Sequence, residues 1–242
     1  MWNIDLTLVD VARVSRAAYA EAFQRVTGRP LVALPQTVAR SDSEIFFEAL
    51  ALNEAGPPPA SDWTEAGNQE LLARYISELE AAFDARLGLL PAHGRALPGA
   101  AEAVAAVAEL PGVVQSVLTG TIRPNAAAKL RAFGMDRFFD FEIGGFGSEI
   151  YPMGAQLLRS RGRAAEKYGG ETAANPAVYL GDSGRDVEAA RIGGARSISV
   201  ASGRSTASEL REAGADLVLD DLADTEAVVT AIDQLTSAVS AG

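Results

Sequence analysis

Short apolar runs alternate with helical patterns through the second half of the chain, the arrangement of βαβ units and a parallel sheet. Val113–Leu118, Phe141–Ile143, Ala177–Leu180, Ser197–Val200 and Asp216–Leu219 read as strands. Pro124–Phe133, Pro152–Tyr168, Arg185–Ile192, Thr206–Ala213 and Thr225–Val239 read as the helices between and after them. The region 14–91 differs in kind. It carries helical periodicity without credible strands, over 16–26, 42–52 and 65–87. The last of these sets Leu71, Leu72, Tyr75, Ile76, Leu79 and Phe83 at spacings of three and four. Pro57-Pro58-Pro59 interrupts the helices there. The pattern predicts an α/β fold: a Rossmannoid parallel-sheet core of residues 1–13 and 92–242, with an inserted all-helical domain of residues 14–91.

Composition narrows the function classes. A chain of 242 residues, 48% hydrophobic and 22% charged, can bury a real core. The net charge of −11 disfavours nucleic acid as a partner, because phosphate backbones select basic surfaces. No long apolar run and no basic-then-apolar start occur, so no membrane or secretory role is expected, and a cytoplasmic location follows. Oligomeric state is not legible. The chain has no cysteine and a single histidine, His93, in a stretch that reads as a loop. Thiolate and multi-histidine metal sites are therefore excluded within one chain. Lysine occurs only as Lys129 and Lys167.

In an open parallel sheet, residues after the strand ends converge on one crevice. Here those residues are Asn3, Asp5 and Thr7; then Thr119, Gly120 and Thr121; then Asp182 and Asp186. Asp5, Asp182 and Asp186 can offer oxygen ligands to Mg²⁺. Taken alone, Asp182 and Asp186 read equally as a helix cap and a first-turn acid. Thr119-Gly120-Thr121, between an apolar strand and a helix, suits an oxyanion. Gly144-Gly145-Phe146-Gly147 lacks the spacing of a dinucleotide loop.

The order Asn3-x-Asp5-x-Thr7, Leu118-Thr119-Gly120 and Gly181-Asp182-x-x-x-Asp186 resembles the haloacid dehalogenase-like superfamily. The helical insert resembles the cap of its phosphoglycolate phosphatase and β-phosphoglucomutase branch, and Leu97-Pro98-Gly99 resembles that branch's return to the core. The resemblance spans essentially the whole chain. It implies an aspartate that attacks phosphorus, a second aspartate as acid and base, and Mg²⁺ to neutralise charge, acting on a small phosphorylated metabolite. Carried over by position, Asn3 stands at the nucleophile, Asp5 at the acid/base, and Thr119 at a phosphoryl contact. Thr7, Gly120 and Thr121 lie beside the substrate, and Asn3, Asp5, Asp182 and Asp186 stand where the metal is held or oriented.

Three departures follow. Asn3 is a carboxamide and a poor nucleophile. The family's third motif places a Lys or Arg near the helix that begins around Pro152, and Glu149-Ile150-Tyr151-Pro152-Met153 contains none. Lys129 and Lys167 lie elsewhere, and Arg159, Arg161 and Arg163 read as exposed helix residues, so this cation is expected to be missing. Only Met1 and Trp2 precede position 3, where a central strand has about five or six residues. A misplaced start codon, a trimmed start and an unusually short strand each account for this, and an engineered Asp-to-Asn change is compatible with Asn3 as is a natural one. The expectation is a phosphatase scaffold whose covalent step is impaired. The alternatives are a non-catalytic binder of a phosphometabolite or protein, and a repurposed enzyme using Asp5 as acid. The Asp42–Phe47 and Trp63–Tyr75 stretches are candidate specificity elements, and core packing explains their aromatic residues equally well.

Overall fold

The computed structural model describes residues 1–37, 40–55, 66–149, 152–169 and 176–237. In chain order the elements are β1 (Val9–Asp10), α1 (Ala12–Thr27), α2 (Asp42–Leu52), α3 (Ala66–Asp84), α4 (Leu90–His93), β2 (Arg95–Ala96), α5 (Ala100–Ala108), α6 (Arg123–Ala132), α7 (Met153–Tyr168), β3 (Val178–Gly181), α8 (Gly184–Ile192), β4 (Arg196–Val200), α9 (Ala207–Glu212), β5 (Leu217–Leu219) and α10 (Thr225–Ser237).

The parallel sheet is built on strands β3, β4 and β5, paired in that order. It extends beyond β3 through isolated parallel pairings. Trp2 pairs with both Leu180 and Val117, and Leu118 pairs with Gly145. The chain start therefore runs up the middle of the sheet, where its few residues are anchored by side chains. Trp2 is buried, and its indole N–H donates to Gln115 Oε1 at 2.9 Å. Gln115 Nε2 in turn donates to the Val104 carbonyl of α5 at 2.9 Å.

Two expected strands are shorter than their apolar runs. Val113–Leu118 pairs only from Ser116 onward, where Trp2 lies beside it. Phe141–Ile143 is not a strand. Asp140 Oδ1 accepts the Glu142 N–H at 2.9 Å and folds the segment into a turn, and pairing begins at Gly145. His93, expected in a loop, ends the short helix α4 and is exposed. Pro57-Pro58-Pro59 and Trp63 lie outside the described residues.

Helices α1, α2 and α3 follow the first strand and pack on one another. Phe46 of α2 stacks on Tyr75 of α3 at 4.0 Å between ring centroids and meets Phe23 of α1 edge-on at 6.5 Å. Ser41 caps α2 with a reciprocal Ser41–Glu44 box. This aromatic cluster is continuous with the core beneath the sheet. Among the described residues, no helix is long and apolar enough to cross a membrane.

Candidate active site

The turn after the first strand sets the geometry. Leu6 takes a left-handed conformation at φ 64°, uncommon for a branched side chain. Its N–H donates to Val9 O at 2.8 Å, while Leu8 and Val9 donate back to Ile4 O. The chain doubles over, and Asp5 and Thr7 both end up at the sheet edge. Thr7 Oγ1 donates to Asp182 Oδ1 at 2.9 Å.

Asn3, Asp5, Thr119, Gly120, Thr121 and Asp182 line one cleft of about 80 Å³. That is room for a phosphoryl-sized group rather than a whole metabolite, since ligand pockets usually run to several hundred Å³. Thr7 and Asp186 lie behind this wall and support it.

Asn3 is buried and fully engaged. Its Oδ1 accepts the Ile4 N–H at 2.8 Å, and its Nδ2 donates to Asp182 Oδ1 at 3.1 Å and to the Asp5 carbonyl at 3.4 Å. Asp182 is buried at the end of β3, and its Oδ2 has no hydrogen-bond partner. That oxygen lies against Gly203, where a Cβ would come within 2.2 Å of it. Burial, and then the Asp186 carboxylate, push Asp182 up to about 7. Asp186 is committed elsewhere. Its Oδ1 accepts the Tyr179 hydroxyl at 2.8 Å, and its Oδ2 accepts the Asp182 and Ser183 N–H groups and the Ser183 hydroxyl. It closes a capping box on α8 with Ser183. Burial raises its pKa against the pull of those bonds.

The expectation of a missing cation needs correction. Lys129, from α6, reaches the cleft and lies 2.7 and 2.9 Å from the carboxylate oxygens of Asp5. It also donates to Thr121 Oγ1 at 2.8 Å, and Thr121 donates to Asp5 at 2.9 Å. The residues near Pro152 do not supply the charge. Arg163 binds the Gly144 carbonyl and Glu149, Arg161 binds the Gly193 and Gly194 carbonyls, and Lys167 pairs with Asp140 and Glu142. Arg159 lies 3.7 Å from Glu149. One signal for Lys129 was present in the sequence. It stands beside Ala126 and Leu130 on the buried face of α6, where a lysine needs a partner.

Asp42 opens the Asp42–Phe47 stretch named as a candidate specificity element, although the strand-end pattern did not place it in the site. It is buried at the start of α2, accepts the Tyr19 hydroxyl at 2.6 Å and the Ile122 N–H at 2.8 Å, and lines the cleft. Burial pushes it up to about 6 against the nearby charge of Lys129. Its own N–H donates to Gly120 O at 2.7 Å, and Ser43 Oγ donates to Gly147 O at 2.7 Å. The α2 start is thus wedged onto the loop that carries Thr119. A Cβ on Gly120 would lie 1.9 Å from Arg40 O, and one on Gly147 would lie 1.5 Å from Gly120 O.

The donor set does not fit a divalent cation. Mg²⁺ needs oxygen lone pairs facing it. Asn3 turns its NH₂ toward Asp182 and the Asp5 carbonyl, Lys129 holds the Asp5 carboxylate, and both Asp186 oxygens are bonded. Among the described residues, no group of three Asp, Glu, His or Cys side chains is placed to hold a metal ion.

Comparison with known proteins agrees with this architecture. A hydrolase from Pseudomonas syringae shares 20% identity over 97% of both chains, with a TM-score of 0.62. A structure described as a predicted phosphoglycolate phosphatase from Haemophilus somnus shares 20% identity over 94% of this chain and 96% of that one, with a TM-score of 0.60. A family IA, variant 3 HAD hydrolase from Entamoeba histolytica reaches a TM-score of 0.62 at 15% identity, covering 95% of this chain and 97% of that one. At these identities the likeness concerns the fold. No curated protein sequence matches the chain. The family model described as haloacid dehalogenase-like hydrolase matches residues 4–194, and the chain belongs to that family.

Proposed function

We propose that this chain binds the phosphoryl group of a small phosphorylated metabolite in the cleft at the sheet edge, and that its covalent hydrolytic step is impaired. The observation that carries this reading is the state of Asn3. Its oxygen is held by Ile4 and its nitrogen by Asp182, in the position from which a carboxylate would attack phosphorus. A neutral amide locked in this way offers phosphorus no nucleophile.

The rest of the cleft keeps the means to hold an anion. Thr119, Gly120, Thr121 and the Lys129 ammonium line one small volume. The family's Mg²⁺ would neutralise phosphate charge, but the donor set here does not fit it, so the cationic role falls to Lys129, with Arg16, Arg40 and Arg204 also on the cleft wall. Asp5 is poorly placed to act as an acid for a leaving group, because its oxygens already accept from Lys129 and Thr121. This disfavours a repurposed enzyme that relies on Asp5. The helices of residues 14–91 would act as a cap over the cleft, with Asp42 and Tyr19 as its contribution to the wall. A net charge of −11 favours a small ligand over polyanionic partners.

The test is turnover of a panel of small phosphomonoesters, with Mg²⁺ present, by the unaltered chain and by Asn3→Asp. The unaltered chain should show little or none, and Asn3→Asp should gain turnover. Robust turnover by the unaltered chain would overturn the claim of an impaired step.

A further inference from the structure

The Asn3 amide occupies the point where the candidate metal ligands meet. Its Nδ2 lies 3.1 Å from Asp182 Oδ1 and 3.4 Å from the Asp5 carbonyl, and donates to both. Which end of the amide is nitrogen follows from its neighbours. The Ile4 N–H points at the other end from 2.8 Å and requires an acceptor there. Exchanging the ends would set NH₂ against an N–H, and oxygen against a carboxylate and a carbonyl. Both contacts would be repulsive. The side chain is therefore fixed with hydrogens, not lone pairs, directed at its two acceptors.

A cation at this point would need the same two acceptors and would meet the amide hydrogens. Among the described residues, the cleft lining holds two buried side-chain oxygens without a hydrogen-bond partner: Asp182 Oδ2, which lies against Gly203, and the neutral hydroxyl of Ser15. Charge runs the same way. Asn3 is neutral and Asp5 is paired with Lys129, so Asp182 alone of the three remains to attract a dication. Lys129 is itself buried, with its side chain 3% exposed, and it brings positive charge to the place where a phosphate would arrive.

We propose that the Asn3 amide and the Lys129 ammonium together replace the divalent cation in this site: the amide bridges Asp182 and the Asp5 carbonyl, the ammonium supplies the charge, and phosphate is bound without Mg²⁺ or Mn²⁺. The second half of this proposal rests on the reading of the cleft as a phosphate site, and the first half does not.

Two measurements on the full chain separate them. Mn²⁺ titration followed by electron paramagnetic resonance should show no saturable site in the unaltered chain and a site in Asn3→Asp, tighter by at least about tenfold. Equal Mn²⁺ affinity in the two proteins, or no site in either, would overturn the assignment of the amide as the excluding group. Inorganic phosphate binding, followed by ³¹P line broadening, should be the same in EDTA as in excess Mg²⁺. Phosphate binding that disappears in EDTA would overturn the proposal on the unaltered chain alone, even if Asn3→Asp fails to fold. Absence of phosphate binding in both conditions would defeat the phosphate reading and the phosphate half of the proposal, and leave the Mn²⁺ result to decide the amide's role.

Discussion

Lys129 Nζ lies 2.7 and 2.9 Å from the two carboxylate oxygens of Asp5, yet the two residues share this ion pair unequally. The Lys129 side chain is 3% exposed and that of Asp5 is 39% exposed. Deleting either partner leaves the other uncompensated, but only the lysine would be left in a dry place. Asp5→Asn should therefore cost more stability, about 2–4 kcal/mol, than Lys129→Met, about 1–2 kcal/mol. Urea denaturation midpoints of the two variants would decide this, and the reverse order would show that solvent reaches Lys129. Lys129→Met should also weaken phosphate binding by about 10–100-fold, the worth of a charge-assisted contact of roughly 1.5–3 kcal/mol.

Stability should fall as the pH rises across the acid to neutral range at two buried carboxylates. Asp42 is pushed up to about 6 and Asp182 to about 7, from an ordinary value of 3.8. A carboxylate whose pKa is raised by folding binds its proton more tightly in the folded chain. Its contribution is fully present below about pH 4 and is lost as the pH rises through about 6 for Asp42 and about 7 for Asp182. Asp182→Asn should remove the part of this loss that extends to neutral pH. Thermal melts of both proteins from pH 4 to 8 would test it, and parallel curves would show that burial of Asp182 is not what sets the slope.

Adding one methyl group at the junction of the α2 start with the core should be costly. Gly147→Ala would place a Cβ 1.5 Å from a backbone oxygen, and Gly120→Ala one 1.9 Å from another. Backbone atoms cannot rotate aside as a flexible side chain can, so each change should cost at least about 1–3 kcal/mol. Gly162→Ala in α7 is the control, with nothing within 4 Å of its added Cβ and a helical backbone that favours alanine. It should stabilise the chain by about 0.5–1 kcal/mol. Similar melting temperatures for all three variants would mean that the α2 start is not wedged as described.

Ser183→Ala should cost about 1–2 kcal/mol. The change removes the cap of α8 and one of the donors to the Asp186 carboxylate. Ser183→Thr keeps the hydroxyl and should restore most of the loss. A Thr variant no more stable than the Ala variant would show that packing, not the hydrogen bond, is what Ser183 supplies.

The residues that meet at the sheet edge were legible because strand ends announce themselves locally. Asn3 and Asp5, Thr119 and Asp182 stand at or just beyond the ends of short apolar segments, and a parallel sheet brings such positions together whatever the loops do. Lys129 and Asp42 were less legible, for a different reason. Each belongs to a helix and reaches the cleft only through tertiary packing, so the burial of Lys129's helix face and the place of Asp42 in a candidate specificity stretch gave only indirect signals. Lys129 sits eight residues beyond Thr121, on a helix face that reads as core. Phe141–Ile143 failed as a strand because an aspartate side chain turned the backbone first, a local hydrogen bond outweighing apolar content. The α2 boundaries, by contrast, agree with the helical periodicity over 42–52, and a Ser41–Glu44 capping box fixes its start in the structure.

The wedge of Arg40–Ser43 between Gly120 and Gly147 limits how this protein can evolve. The same few peptide groups hold the start of α2 in its seat and form part of the cleft wall. A substitution that changes what the ligand meets also changes what fastens one part of the chain to the other. New specificities at this wall can therefore accumulate only as fast as stability gained elsewhere allows, and variants that broaden ligand choice should arise first in backgrounds that are already more stable.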